Sequence, residues 1–389
     1  MILTIIIIIL LIIIIKKDKD NKDNNNDTKP PDTNPNSNFK ILKRNSDFIK
    51  PINNLNLDFE LIELNNNSLK VFLISDNYTD YSSFYIDMPY GYGIETLNGL
   101  SHLSEHLSFS GNSYIIYDLL YNLKNGILFA YTHLDKIEYH CLFPNDINFE
   151  KSLETLHNFL MFPNYDINDI KQEIQSINSE ASLKNAYFEV LGNQIITDLA
   201  NPDTSFHGFG MGNNQTMKVD EVEKIKKLLM GNAKNLYDTN KMIYLLYANK
   251  TIKNLEEIAV KILGKKQRNI DTNEYDINDI EQREKNKKDL INKDIYGDNL
   301  YLHGFYLNDQ WNTIIIYINI KNFDFEKLKF NPSEYLNYLM FSDSLLNTLK
   351  NKKYIINNNF FETKTDITLQ NNVLLKLSLK ITDNAIKII

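Results

Sequence analysis

His102-Leu103-Ser104-Glu105-His106 places two imidazoles four residues apart, with a carboxylate between them. On a helix, positions i and i+4 lie one above the other on one face, so both rings can reach a single ion. Glu105, three residues after His102, sits close enough to touch a water on that ion. Strand-like runs lie on both sides of this helix. Val71 to Ile74 and Phe84 to Ile86 precede it, and Ile137 to Phe143 and Met242 to Tyr247 follow it. Helical stripes fill the intervals, so residues 39–264 read as a layered α/β domain.

A zinc site built on two histidines calls for a third protein ligand and an open fourth position for water. The best donor lies in a later helix, Asp169 to Lys184, whose buried stripe is Ile170, Ile174, Ile177 and Ala181. Glu173 and Glu180 are seven residues apart, two helical turns, and share a face beside that stripe. Two carboxylates at this spacing are ordinarily a solvated face. Beside a two-histidine helix that needs a carboxylate as third ligand they become candidate ligands. The competing reading of the motif is a polar helix face with satisfied histidines. With only 7 histidines in 389 residues, an accidental H-x-x-E-H match is rare.

Composition narrows the alternatives. The chain carries 42 Lys+Arg against 50 Asp+Glu, a formal charge of −8, which argues against the basic surface that a nucleic-acid binder needs. Hydrophobic residues at 43% and aromatics at 12% are too abundant for a disordered protein, and the length allows two or three domains. The single cysteine, Cys141, forms no internal disulfide and excludes a cysteine-based zinc ribbon. Any metal ligands must therefore be His, Asp or Glu.

The N-terminal run of residues 1–15, ILTIIIIILLIIII after Met1, is shorter than the roughly 20 residues of a spanning helix. It suits the apolar core of a secretory signal or a short signal anchor, although no basic residue precedes it and no small-x-small cleavage site follows. The expectation is entry into the secretory pathway, as a secreted or membrane-anchored protein, with this run as the sole membrane contact. Residues 16–38, charged and rich in Asn and Pro, read as a disordered linker. Residues 265–298 form a second charged linker. The pattern restarts in residues 299–389, with a strand from Thr313 to Ile320, a helix from Glu334 to Leu349 and a strand from Val373 to Ile381. A further helix begins as the sequence ends at Ile389, so this second domain is expected to be incomplete.

These residues together resemble the insulinase/pitrilysin zinc metallopeptidases, in which an inverted H-x-x-E-H motif is followed some 70–80 residues later by a glutamate. The resemblance extends to Gly99-Leu100-Ser101 before the motif, to EIQSINSEASLKN (Glu173 to Asn185), and to NPDTSFHGFGMGN (Asn201 to Asn213). It also takes in the segment SEYLNYLMFSDSLLNTLKNKKYI of the second domain, so that it covers roughly residues 47–389. The resemblance implies two related layered domains, each a mostly antiparallel sheet packed with helices. It implies one zinc ion per chain, held by His102, His106 and Glu180, with Glu105 as the catalytic base and Glu173 supporting the site without binding the metal. Peptides are the implied substrates. In the family an Asn-Ala-Phe-Thr-like strand holds the substrate backbone; the matching stretch here is Phe129-Ala130-Tyr131-Thr132, with Phe129 in place of the Asn. Insulysin-like enzymes also use a C-terminal half, so the chain is expected to be a fragment, to need a separate C-terminal-half chain, or to have low activity.

Two rival readings remain. One is a non-catalytic insulinase-like subunit that binds peptides or a partner chain; the other is a membrane-anchored adhesion protein resting on the N-terminal run alone. Among the remaining histidines, His133 and His140 flank the strand near the site, with His140 a candidate to line the cleft. His157, His207 and His303 read as surface or packing residues. Gly208, Gly210 and Gly212 read as a turn, Trp311 as core, and Cys141 as a small buried hydrophobe.

Overall fold

The segments Lys70–Ser75 and Ile243–Ala248 are mostly apolar and buried at successive positions, so the centre of the sheet they join is covered on both faces. The computed structural model describes residues 38–47, 57–110, 126–145, 148–161, 165–184, 188–265 apart from 203 and 205, 302–308, 311–320, 345–354, 361–362 and 373–386. Seven strands, β1 (Phe39–Arg44), β2 (Asp58–Leu64), β3 (Lys70–Ser75), β4 (Tyr81–Met88), β5 (Ile127–Thr132), β6 (Ile137–Pro144) and β7 (Ile243–Ala248), form one sheet in the order β1-β2-β3-β7-β4-β6-β5. Every pairing is antiparallel except β3 with β7, which run parallel from Lys70↔Ile243 to Ser75↔Ala248. The last strand of this sheet in sequence therefore fills the gap between β3 and β4, and among the described residues β5 is an edge strand paired only with β6.

Alternation along the strands separates two cores. Ile62, Leu64, Val71, Leu73, Phe84, Ile86, Tyr244 and Leu246 point to one face. There they meet Leu153, Leu156 and Leu160 of α2 (Phe149–Met161) and Leu255, Ile258 and Ile262 of α6 (Ile252–Leu263). Phe59, Leu61, Phe72, Ile74, Tyr85 and Leu245 form a cluster on the opposite face. A third cluster holds the helices that carry the chemistry. Leu100, Leu103 and Leu107 of α1 (Leu100–Phe109) pack against Ile170, Ile174 and Ile177 of α3 (Ile167–Lys184), and both meet Ile225 and Leu229 of α5 (Val222–Leu236). Ala181 completes the α3 stripe that the periodicity predicts. Fully burying each of these aliphatic side chains is worth about 1.5–3 kcal/mol, so the seating of α1 on α3 is firmly specified. Helix α4 (Phe188–Asp198) follows α3.

A second sheet has four strands in the order β10-β11-β9-β8, all antiparallel: β8 (Leu302–Asn308), β9 (Trp311–Ile320), β10 (Phe361–Glu362) and β11 (Val373–Ile381). Short helices α7 (Leu345–Asn351) and α8 (Asp383–Ile386) accompany it. The architecture is thus mixed α/β with mostly antiparallel sheets, as expected from the sequence. Strands expected at Val71–Ile74, Phe84–Ile86, Ile137–Phe143, Thr313–Ile320 and Val373–Ile381 all fall within observed strands, and the strand expected at Met242–Tyr247 is β7. Of the helix expected from Glu334 to Leu349, only the portion from Leu345 is described. The apolar run 1–15, nearly all of the linker 16–38 and nearly all of 265–298 lie outside the described residues. Among the described residues no helix is long and apolar enough to cross a membrane.

Candidate metal centre

Helix α1 begins at Gly99, which adopts a left-handed conformation (φ 92°). Its exposed N-terminal amides are met by one carboxylate: Glu95 accepts from the Gly99 N–H at 2.7 Å and from the Ser101 N–H at 2.8 Å. A negative charge at this end also suits the helix dipole. The helix is buried enough that its serines turn inward, Ser104 and Ser108 donating to the carbonyls of Leu100 and Ser104 at 2.9 Å. With Leu100, Leu103 and Leu107 committed to α3, the face bearing His102, Glu105 and His106 looks into a cleft of about 390 Å³. Tyr92, Tyr131 and Phe209 form part of its wall.

Opposite these side chains stands Glu180 of α3. Its Oε2 lies 3.6 Å from His102 Nε2 and 3.3 Å from His106 Nε2, and the donor atoms of all three residues fall within 4.8 Å of one another. The two rings are set nearly perpendicular, 86° apart with centroids 4.7 Å from each other. Each ring is held from behind through Nδ1. His102 Nδ1 donates to the Met211 carbonyl at 2.8 Å, and His106 Nδ1 donates to Glu173 Oε2 at 3.0 Å. A carbonyl can only accept, so it fixes the His102 tautomer with its Nε2 lone pair facing the cluster. This is how imidazole ligands are oriented at metal centres. The donor set, two imidazole nitrogens and one carboxylate oxygen with room beside them, fits a divalent zinc ion with an open coordination position. Among the described residues this is the one cluster of His, Cys, Asp and Glu with such geometry.

The electrostatics follow from the same contacts. Burial, and then the charge of His106, push the His102 pKa down. Burial also acts to lower His106, but the Glu173 and Glu180 carboxylates outweigh it and hold the ring up at about 9. Hydrogen bonding to His106, with help from Lys184, draws Glu180 down to about 2. Lys184 reaches the other carboxylate oxygen of Glu180, Oε1, one helical turn on. Glu105 stands beside the cluster, its Oε2 accepting from Thr132 Oγ1 at 2.5 Å.

The four β5 residues are distributed unequally. Ala130, Tyr131 and Thr132 line the cleft. Phe129 does not; its ring stacks on His140 at 4.7 Å and 14°, on the face that carries Tyr85. His140 sits there too, beside Glu138 (3.3 Å) and edge-on to the Tyr85 ring, and is not among the residues that line the cleft. Glu138 is shared by His133, His140 and Lys136, which outweigh its burial and hold its carboxyl well below the usual range. His157 is buried against the Tyr244 hydroxyl (2.8 Å), and His207 Nδ1 is paired with the Ala200 carbonyl at 3.1 Å. The side chains of His303 and Trp311 lie outside the described residues. Cys141 is buried and free, its thiol pushed up to about 12 by burial. Three contributors escape a reading of motifs: Glu95, Lys184 and the Met211 carbonyl. Lys184, four residues after Glu180 on one helix, is the one whose spacing announces it.

Residues 70–202 match the profile of the insulinase family (peptidase family M16). Insulin-degrading enzyme of Drosophila melanogaster is 27% identical over 250 residues, which make up 58% of this chain and 24% of that protein. The chain thus spans about a quarter of the length of this relative. Among solved structures, pitrilysin superposes with a TM-score of 0.68 at 18% identity, covering 89% of this chain and 36% of pitrilysin. The first half of the periplasmic protease PqqL from Escherichia coli superposes with a TM-score of 0.58 at 13% identity, covering 84% of this chain and 69% of that one. The structural likenesses establish the shared fold, and the family match covers the β3 to α4 segment that contains the cluster.

Proposed function

We propose that His102, His106 and Glu180 bind one zinc ion and that this chain is the catalytic portion of a zinc metalloendopeptidase. The carrying observation is the convergence of three donor atoms within 4.8 Å, with both imidazoles locked through Nδ1 so that Nε2 faces inward. In this reading residues 39–264 are the catalytic domain, 299–389 a second insulinase-like domain, and the segments before and between them a leader for the secretory route and two linkers.

Bound zinc supplies the Lewis acidity that brings the pKa of water towards about 7 and polarises a scissile carbonyl. Glu105 takes the proton from the attacking water and delivers it to the leaving amine, a transfer worth roughly 10²–10⁴ in rate. Thr132 holds the Glu105 carboxylate by its Oε2, which keeps the base aimed while its proton load changes. Among the described residues β5 is an edge strand, on whose outer side an extended peptide would add as a further strand, with Ala130 and Tyr131 beside the scissile bond. The family match to peptidases and the fold shared with pitrilysin support the assignment.

The test is to measure zinc content and cleavage of a quenched peptide, alone and with a candidate C-terminal-half chain. Glu105→Gln is expected to retain zinc and lose at least about a hundredfold in kcat. Stoichiometric zinc with no cleavage under either condition would overturn the peptidase reading in favour of a non-catalytic subunit.

A further inference from the structure

Residues 208–213 form a loop that reaches the metal cluster beside the start of α1, and three contacts fix it there. His102 Nδ1 donates to the carbonyl of Met211 at 2.8 Å. The next residue, Gly212, sits at φ 70° against Gly99 at φ 92°. A Cβ on Gly212 would come within 2.7 Å of the Gly99 Cα, and one on Gly99 within 2.5 Å of the Gly212 Cα. Such approaches are closed to any other residue without moving backbone. Just beyond, the Asn214 N–H donates to Asn178 Oδ1 at 3.2 Å, which ties the loop to α3 two residues before Glu180. Asn213 stiffens the turn by accepting from the Gln215 and Thr216 amides at 2.9 and 3.1 Å.

The two histidines are therefore aimed by different devices. His106 relies on a side-chain carboxylate of α3, whereas His102 relies on a neutral backbone carbonyl presented by a loop 109 residues away in sequence. A carbonyl has no rotamer of its own, so its position is only as good as the backbone that carries it. That backbone is set by the Gly99–Gly212 contact at the start of α1, three residues before the ring it serves.

Resting on the zinc reading above, we infer that the loop of residues 208–213 is the positioning element for His102. The Met211 carbonyl fixes the ring's tautomer and aim, and the paired glycines fix the carbonyl. Of the three glycines in HGFGMGN, Gly212 is the one whose close contact with the start of α1 serves the metal site.

The experiment compares zinc affinity, by competition with a chromophoric chelator, in wild type, Gly212→Ala, Asn178→Ala and Leu263→Ala. Gly212→Ala is expected to weaken zinc binding by about 10–100-fold, the range for losing the group that orients a ligand. The His102 Nδ1 proton, expected to give a protected NMR signal in the zinc-loaded wild type, is expected to broaden into solvent exchange in this variant. Leu263, fully buried in the first core, serves as the control. Its truncation lowers stability while leaving affinity and the Nδ1 proton unchanged. Asn178→Ala loosens the loop more gently and is expected to cost about threefold in affinity, the net worth of one hydrogen bond; it decides the matter if Gly212→Ala does not fold. Wild-type affinity in the folded glycine or asparagine variant, with the Nδ1 proton intact, would overturn the assignment. Absence of zinc uptake by wild type, or full uptake by His102→Ala, would instead overturn the metal site itself.

Discussion

Replacing Glu173 by Gln removes the charge behind His106 while preserving size and one acceptor oxygen. The contact at stake is His106 Nδ1 to Glu173 Oε2 at 3.0 Å. Hydrogen bonds to charged groups are worth about 1.5–3 kcal/mol and neutral ones about 0.5–1.5, so the change removes roughly 1–1.5 kcal/mol. That corresponds to about tenfold in zinc affinity, the lower end of the 10–100-fold range for groups that orient a metal ligand. Protons complicate the measurement in a predictable way. The carboxylates hold His106 up at about 9, so at neutral pH zinc must displace a proton from it. Loss of Glu173 relieves this competition and masks part of the loss. The deficit is therefore expected to be largest above the His106 pKa and to shrink towards neutrality. Chelator competition across that range reads it directly, with Glu180→Gln as the reference for losing a ligand outright. A deficit larger at neutral than at alkaline pH, or none at either, would refute the reasoning.

Two predictions concern stability against pH and have opposite signs. His157, buried against Tyr244 and held at about 4 by burial and then by Lys265, stays neutral in the fold but takes up a proton below about 6.5 once unfolded. Stability is thus constant above 6.5 and falls by about 3 kcal/mol as pH drops to about 4; urea unfolding of His157→Gln should lose this acid-dependent step. Glu60, 7% exposed, is raised to about 8 by burial and then by Glu256, so its contribution is complete below about 4.5 and is lost as pH rises through 8. Glu60→Gln is expected to be more stable than wild type at pH 9, and equal sensitivity of both proteins to alkali would refute it.

What the sequence discloses about this molecule is what local periodicity encodes. His102 and His106 are neighbours because four residues make a helical turn, and Glu173 and Glu180 share a face because seven make two. The stripe Ile170, Ile174, Ile177 and Ala181 states which side of α3 is buried, and that orientation alone brings Glu180 and Glu173 to the histidines. The Met211 carbonyl is invisible in this sense, since every residue has one and only the chain path selects it. Glu95 is a cap reached from outside the helix, without the Ser or Thr that marks a helix start. Phe129 shows the limit of matching strand to strand: the stretch aligns, but the β5–β6 register sets Phe129 opposite His140, and the two rings stack. The place of β7 between β3 and β4 is also beyond periodicity, because all three strands are apolar enough to pair in other orders.

That insertion has a consequence for how the chain is made. β3 and β4 leave the ribosome as consecutive strands joined by a short turn, yet they never pair with each other in the finished sheet. Both wait with one row of backbone groups open until residues 243–248 arrive, by which time α1 and α3 have already been synthesised. Closure across such a separation is slow, because chain entropy must be surrendered before the pairing rewards it. Until then a nascent chain displays two unsatisfied apolar strand edges, a target for chaperones and a risk for aggregation. The metal-binding helices belong to the excursion between β4 and β7, so the sheet beneath them gains its central strand only after both helices have been synthesised.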